Sequence, residues 1–212
     1  MGCDDLFKKR KARKLKERKT CFRKSYDRVL IVCEGEKTEP LYFEEFKHEY
    51  DLSSANVVVT DASKGSDPMS IIKEAEKLYK ESQKENNSFD KVFCVFDKDQ
   101  HGNYDKALYM LTKANSHFTA ITSVPCFEYW FLLHFEYTTK SFPTASSVIS
   151  DLKKYIPTYN KNNRRIFDNL KPRLQTAIQN AEKANQSSKN AGTDNPSTKV
   201  VDLITYLLNM KK

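Results

Sequence analysis

Four short apolar runs, three of them followed by a stretch of helical spacing, constrain this chain more than any other feature. Val29-Leu30-Ile31-Val32-Cys33 is continuous and partly β-branched, which is the pattern of a strand buried on both faces. Asn56-Val57-Val58-Val59-Thr60 and Val92-Phe93-Cys94-Val95-Phe96 read as a second and a third strand. Ala120-Ile121-Thr122-Ser123-Val124 does so less strongly, as expected nearer a sheet edge. Between these runs lie apolar residues at helical spacing. Leu41, Tyr42, Phe43 and Phe46 follow Thr38, a candidate helix cap, with Pro40 in the first turn. Ile71, Ile72, Ala75 and Leu78 follow Asp67-Pro68, and Ala107, Leu108 and Leu111 follow the loop around Gly102. Strands alternating with helices predict a parallel sheet covered on both faces.

Beyond Pro125 the spacing predicts mainly helix. The segments expected are Phe127 to Phe135, a stretch capped by Thr144 through Val148, Ile149 and Leu152, and another from Pro172 to Ala184. A mobile loop is expected over Gln186 to Asp194, with Asn195-Pro196-Ser197 opening a last helix. No internal repeat is present. The expected organisation is a basic arm (1–26), an α/β core (27–126) and a helical region packed on that core (127–212).

Charge separates the arm from the rest. The net formal charge is +8 over 212 residues. Residues 1–28 hold twelve Lys or Arg against four acids, so the remainder is neutral, with 24 of each sign. The arm, through Lys8, Lys9, Arg10, Lys11, Arg13 and Lys14, is expected to grip phosphate backbones without reading sequence. A solvated tail is the alternative. Cys3, Cys21, Cys33, Cys94 and Cys126 are scattered and form no CxxC pair, so free thiols in a reducing cytoplasm are expected. No apolar run reaches the roughly 20 residues that cross a bilayer. The charged start lacks the apolar core of a secretory signal, so neither a membrane role nor export is expected.

Acids stand where the strands end. Glu34 follows the first run, and Asp97 and Asp99 follow the third. In parallel α/β sheets, sites form at the carboxyl edge of the strands. Two aspartates two residues apart can point the same way, and hard oxygen donors suit Mg²⁺ or Mn²⁺. Such a metal neutralises a scissile phosphate and activates water. Glu34 would complete the metal shell or act as general acid and base, and Gly35 would permit a close approach. Taken alone, the Asp-x-Asp pair is equally well read as a turn or helix cap.

The sequence also resembles a known family. Glu-Gly after a first strand and Asp-x-Asp after a third resemble the TOPRIM domain of topoisomerases, primases and overcoming-lysogenization-defect nucleases. VLIVCEGEKTEPLYFEEF, VFCVFDKDQH, VPCFEYWFLLHFE and NPSTKVVDLI resemble the RloB family across roughly residues 29–205. That resemblance implies a Rossmann-like TOPRIM sheet and a Mg²⁺-dependent endonuclease acting on DNA or RNA, tRNA included by analogy. It implies a bacterial phage-defence setting with an ABC/AAA-type, RloA-like ATPase partner. Carried over by position, Glu34 is the acid/base and metal-site glutamate, and Asp97 and Asp99 are metal ligands. Many TOPRIM enzymes extend the motif to a third acid. Here His101 stands in that place, and Glu128 is the candidate to fill the gap, its alternative being an ordinary first-turn helix acid favoured by the helix dipole.

Several neighbours carry two readings. His101 is a proton shuttle or a plain loop residue. Lys37 and Lys98 steady a phosphate or balance local charge. Trp130, Phe131 and Phe135 are core residues before they are base-stacking ones, and His134 is a core or boundary histidine. Glu36 and Glu39 are expected on a solvated helix start, with reach of one of them into the site as the alternative. The alternative to a nuclease is a non-catalytic nucleic-acid-binding or ATPase-regulating module with a decayed site. Oligomeric state is unread, self-association included.

Overall fold

The structure, a computed structural model, describes residues 27–52, 56–61, 67–98, 102–113 and 116–210. The basic arm, Asp99 and His101 lie outside them.

The five-residue run at Val29–Cys33 forms β1, buried throughout. Helix α1 (Thr38–Glu49) follows, then β2 (Val57–Asp61), α2 (Pro68–Lys84), β3 (Lys91–Asp97), α3 (Tyr104–Lys113) and β4 (Phe118–Val124). The sheet order is β2-β1-β3-β4-β5. β1 to β4 are mutually parallel, with Val29 opposite Val57 and Lys91, and Asp97 opposite Ser123. This is a Rossmann-like α/β fold. Alternate residues of β1 face opposite cores, as the two-residue strand period requires. Val29, Ile31 and Cys33 join a large cluster with α1 and the helical region. Leu30 and Val32 join a smaller one with α2 and α3.

The chain leaves β1 for β2 on one side and reaches β3 on the other. The order therefore reverses between β1 and β3, and a crevice opens at their carboxyl ends.

The second half is helical as expected, with corrected bounds. α4 (Glu128–Leu132) is a short buried helix. α5 (Ala145–Leu152) starts at Thr144 with a reciprocal capping box to Ser147. α6 (Ile166–Leu170) runs through one 3-10 turn into α7 (Leu174–Asn190). The loop expected from Gln186 is helix up to Asn190, because Ala181, Ala184 and Ser188 continue the buried face of α7. Asn195-Pro196-Ser197 does not open the last helix. Ser197–Thr198 is β5, a two-residue strand antiparallel to β4, and α8 (Val200–Asn209) begins after it. The sheet is thus mixed rather than wholly parallel, and β4 is covered on its outer side. No described helix is long and apolar enough to cross a membrane.

Trp130 and Phe131 are fully buried, and the Trp130 indole N–H donates to the Tyr42 hydroxyl at 2.9 Å. This contact pins the helical region onto α1. Phe167 of α6 adds edge-on contacts to Tyr42 and Phe46.

Candidate functional site

Glu34 leaves β1 with its backbone still in the sheet, its N–H donating to the Val95 carbonyl at 2.9 Å. Its side chain then crosses to β3, where Oε2 accepts from the Asp97 N–H at 2.9 Å. The carboxylate therefore continues the β1–β3 ladder one step past its end and brings the two acids into register at the crevice.

Asp97 is the last residue of β3. Its Oδ2 accepts from the Phe127 N–H at 3.1 Å, at the start of α4. Its Oδ1 is buried and has no hydrogen-bond partner. A buried carboxylate oxygen without a donor is costly unless a cation or a proton compensates it. Burial pushes the Asp97 carboxyl well above the usual carboxylate range, and Glu39, Glu128 and Glu34 push it further against the pull of the Phe127 N–H.

Glu128, at the start of α4, is 1% exposed. Its Oε1 accepts from the Tyr159 hydroxyl at 3.0 Å and lies 3.6 Å from the Lys161 ammonium. Glu128 thus joins the cluster, as the sequence suggested, although no described contact gives it the place of a third acid in an extended Asp-x-Asp motif.

Glu39 corrects the sequence reading. It is buried rather than solvated, and its carboxyl is raised to about 7, first by burial and then by Glu128 and Glu34, with its own backbone N–H and Lys161 pulling the other way. A side chain on Gly35 would put a Cβ 2.1 Å from the Glu39 Oε2. The close approach that Gly35 permits is therefore that of Glu39. The signal for Glu39 was present: residues 39, 42, 43 and 46 fall on one helix face, and the other three are buried aromatics. Thr38, expected to cap α1, is instead its first residue and donates through Oγ1 to the Lys161 carbonyl at 3.4 Å. Tyr159 and Lys161 were not legible, since they come from a polar turn with no periodicity.

The remaining candidates separate. Lys37 is exposed at the cap position of α1 and makes no side-chain cap bond. Lys98 pairs with Asp194 and lies over the Tyr104 ring, so charge balance describes it. His134 is buried, with Nδ1 donating to the Trp130 carbonyl at 2.9 Å and Nε2 unpartnered. Phe135 stacks on Tyr155, with Arg173 over it. Cys33, Cys94 and Cys126 are free and buried. Asp99, His101 and the lysines and arginines of the arm lie outside the described residues.

Four carboxylates and one ammonium thus lie within electrostatic reach of one another at the carboxyl end of β1 and β3. The hard carboxylate oxygen atoms, the orphaned Asp97 Oδ1 among them, are of the donor type that Mg²⁺ or Mn²⁺ takes. Among the described residues no three His, Cys, Asp or Glu side chains stand close enough together to hold one as they are. No curated protein matches the chain. The family model described as RloB-like protein matches residues 29–207, and the chain belongs to the RloB-like protein family.

Proposed function

We propose that the chain is a TOPRIM-type, metal-dependent nuclease that hydrolyses phosphodiester bonds of DNA or RNA. In this reading it is the effector subunit of an ATPase-coupled phage-defence system. The observation that carries the proposal is the orphaned Asp97 Oδ1, set among Glu34, Glu39 and Glu128 at the reversal point of the sheet. Like charges held together out of water are costly to a fold unless something of opposite charge completes them.

Asp97, Asp99 and Glu34 would hold the metal. When bound, the metal supplies charge neutralisation for a scissile phosphate and lowers the pKa of an attacking water. Glu34 accepts the Asp97 N–H and so is oriented toward the same point. Glu39 is the buried carboxyl beside these ligands that would take a proton from the attacking water. Tyr159 holds Glu128 in place through its hydroxyl.

The test is cleavage of single- and double-stranded DNA and RNA in Mg²⁺ or Mn²⁺, with and without the ATPase of the same locus. Cleavage should appear, and Glu34→Gln and Asp97→Asn should each reduce it by about two orders of magnitude or more. Cleavage unaffected by either change would remove these residues from the mechanism.

A second reading is favoured by one observation, that the described acids form no ready ligand set. It makes the chain a non-catalytic nucleic-acid-binding or ATPase-regulating module. Mn²⁺ titration by calorimetry separates the two. The nuclease binds the ion and Asp97→Asn abolishes binding, whereas the module binds none.

A further inference from the structure

Outside the arm the chain is neutral, but its cations are unevenly placed. Residues 153–173 carry seven lysines and arginines against one acid, Asp168. All seven are exposed. Within this stretch the turn before α6 is docked onto the acid cluster. Lys161 reaches Glu128, and its carbonyl accepts from Thr38 of α1. Two asparagine side chains brace the turn, Asn160 accepting from the Asn162 N–H and Asn163 from the Arg165 N–H, each at 3.0 Å. Buried Ile166 and Phe167 then anchor its far end, and Glu45 of α1 accepts from the Phe167 N–H.

Arg164 and Arg165 are carried on this braced turn and make no ion pair with a described residue. Their Cα atoms lie within about 14 Å of that of Lys161, the reach of four residues of chain. A cation paired with an acid serves that acid. Two exposed guanidinium groups within four residues of Lys161 along the chain, and paired with no described acid, are available to an outside anion.

We propose that Lys161, Arg164 and Arg165 are the phosphate-binding surface of the folded body, which leads a nucleic-acid strand onto the acid cluster. Lys161 spans both charges. It offsets Glu128 at rest, its side chain remains 62% exposed, and among the described cations it is the one paired with these acids. The proposal rests on the nuclease reading for the chemistry at the acids, but the binding itself does not depend on cleavage.

The test uses the full chain, arm included, and short labelled single-stranded RNA and DNA of one sequence. Binding is monitored by fluorescence anisotropy across a salt series in Ca²⁺. Arg164→Ala/Arg165→Ala should weaken binding roughly tenfold at 0.1 M salt and lower the salt slope by about 1.4, the loss of two single-strand phosphate contacts. Lys161→Gln should lower it by about 0.7 more. Lys73→Ala/Lys80→Ala, on exposed α2 positions at the other face of the sheet, should change neither. An unchanged slope in the arginine variant, a slope lowered as much by the α2 changes, or no binding by the parent chain overturns the proposal. A lowered slope in a chain that cleaves nothing in Mg²⁺ or Mn²⁺ leaves this surface standing and removes the nuclease reading instead.

Discussion

At the scale of single residues, Asp97 and His134 show what burial does to opposite charges. Ionised Asp97 is penalised by desolvation and by three neighbouring acids. In EDTA at pH 8, Asp97→Asn should therefore melt a few degrees higher than the parent, since each kcal/mol is worth about 2–4 °C in a chain of this size. In Mn²⁺ the order should reverse. Only the parent gains the binding free energy, about 2.7 kcal/mol at a hundred times the dissociation constant. Thermal melts in the two buffers decide it, and a variant that is less stable in both would mean that the carboxylate is needed for folding alone. His134 has the opposite sign. Burial lowers its pKa from 6.5 to about 4. As pH falls through 6.5 the unfolded chain takes up a proton that the folded chain refuses, so stability drops until about pH 4, by roughly 3 kcal/mol in all. His134→Gln should flatten that limb. Urea midpoints of both chains at pH 7 and pH 4.5 give the difference, and parallel pH curves would show that His134 does not set it. Position made Glu34 and Asp97 legible in the sequence as candidates, because each is an acid at the carboxyl end of an apolar strand, where sites form in parallel α/β sheets. Glu39 was legible from its spacing to Tyr42, Phe43 and Phe46 but was assigned by its polarity. Asp97 Oδ1 was not legible, because an orphaned atom is a property of the packed environment.

At the scale of elements, what the sequence revealed tracks the strength of periodicity. β1 and β3 are continuous apolar runs and their positions are clear in the sequence. α2 is clear as well, its start marked by Asp67, whose side chain accepts from the Met69 N–H at 3.1 Å. β5 was hidden, because two residues have no period. Its stability comes from outside the sheet. Asn185 of α7 donates through Nδ2 to the Thr198 carbonyl at 2.7 Å and accepts through Oδ1 from the Thr198 N–H at 3.0 Å. One side-chain amide thus stands in for the next strand and closes an edge that would otherwise be open. Thr198 is wholly buried, so loss of this pair leaves backbone groups without partners. Asn185→Ala should cost about 1–3 kcal/mol. Urea denaturation measures that cost, and amide exchange at Thr198 should speed up in the same variant. A stability change below a few tenths of a kcal/mol would mean that water replaces the amide at no cost.

At the scale of the whole molecule, the site belongs to neither half of the chain. Glu34, Glu39 and Asp97 come from the sheet and its first helix, whereas Glu128, Tyr159 and Lys161 come from the helical region. The large core cluster runs through both, from Val29 and Tyr42 to Trp130, Phe167 and Leu203. Burial this continuous leaves no surface at which one half could open while the other stays closed, so the two should unfold together. Trp130 is the chain's only tryptophan and sits at the junction, so its fluorescence reports on the helical region docked against α1. Far-UV circular dichroism reports on helices everywhere. In urea the two signals should trace one transition with a shared midpoint. A metal bound by acids of the first half should raise both midpoints equally, since the acids of the second half are held in place by the same core. If the Trp130 transition comes first, with helical signal left to lose, the helical region is a separate unit. The cluster of Glu128 with Asp97 would then form only when that unit is docked, and a partner that loosened the docking would control the site by taking Glu128 and Lys161 away from it.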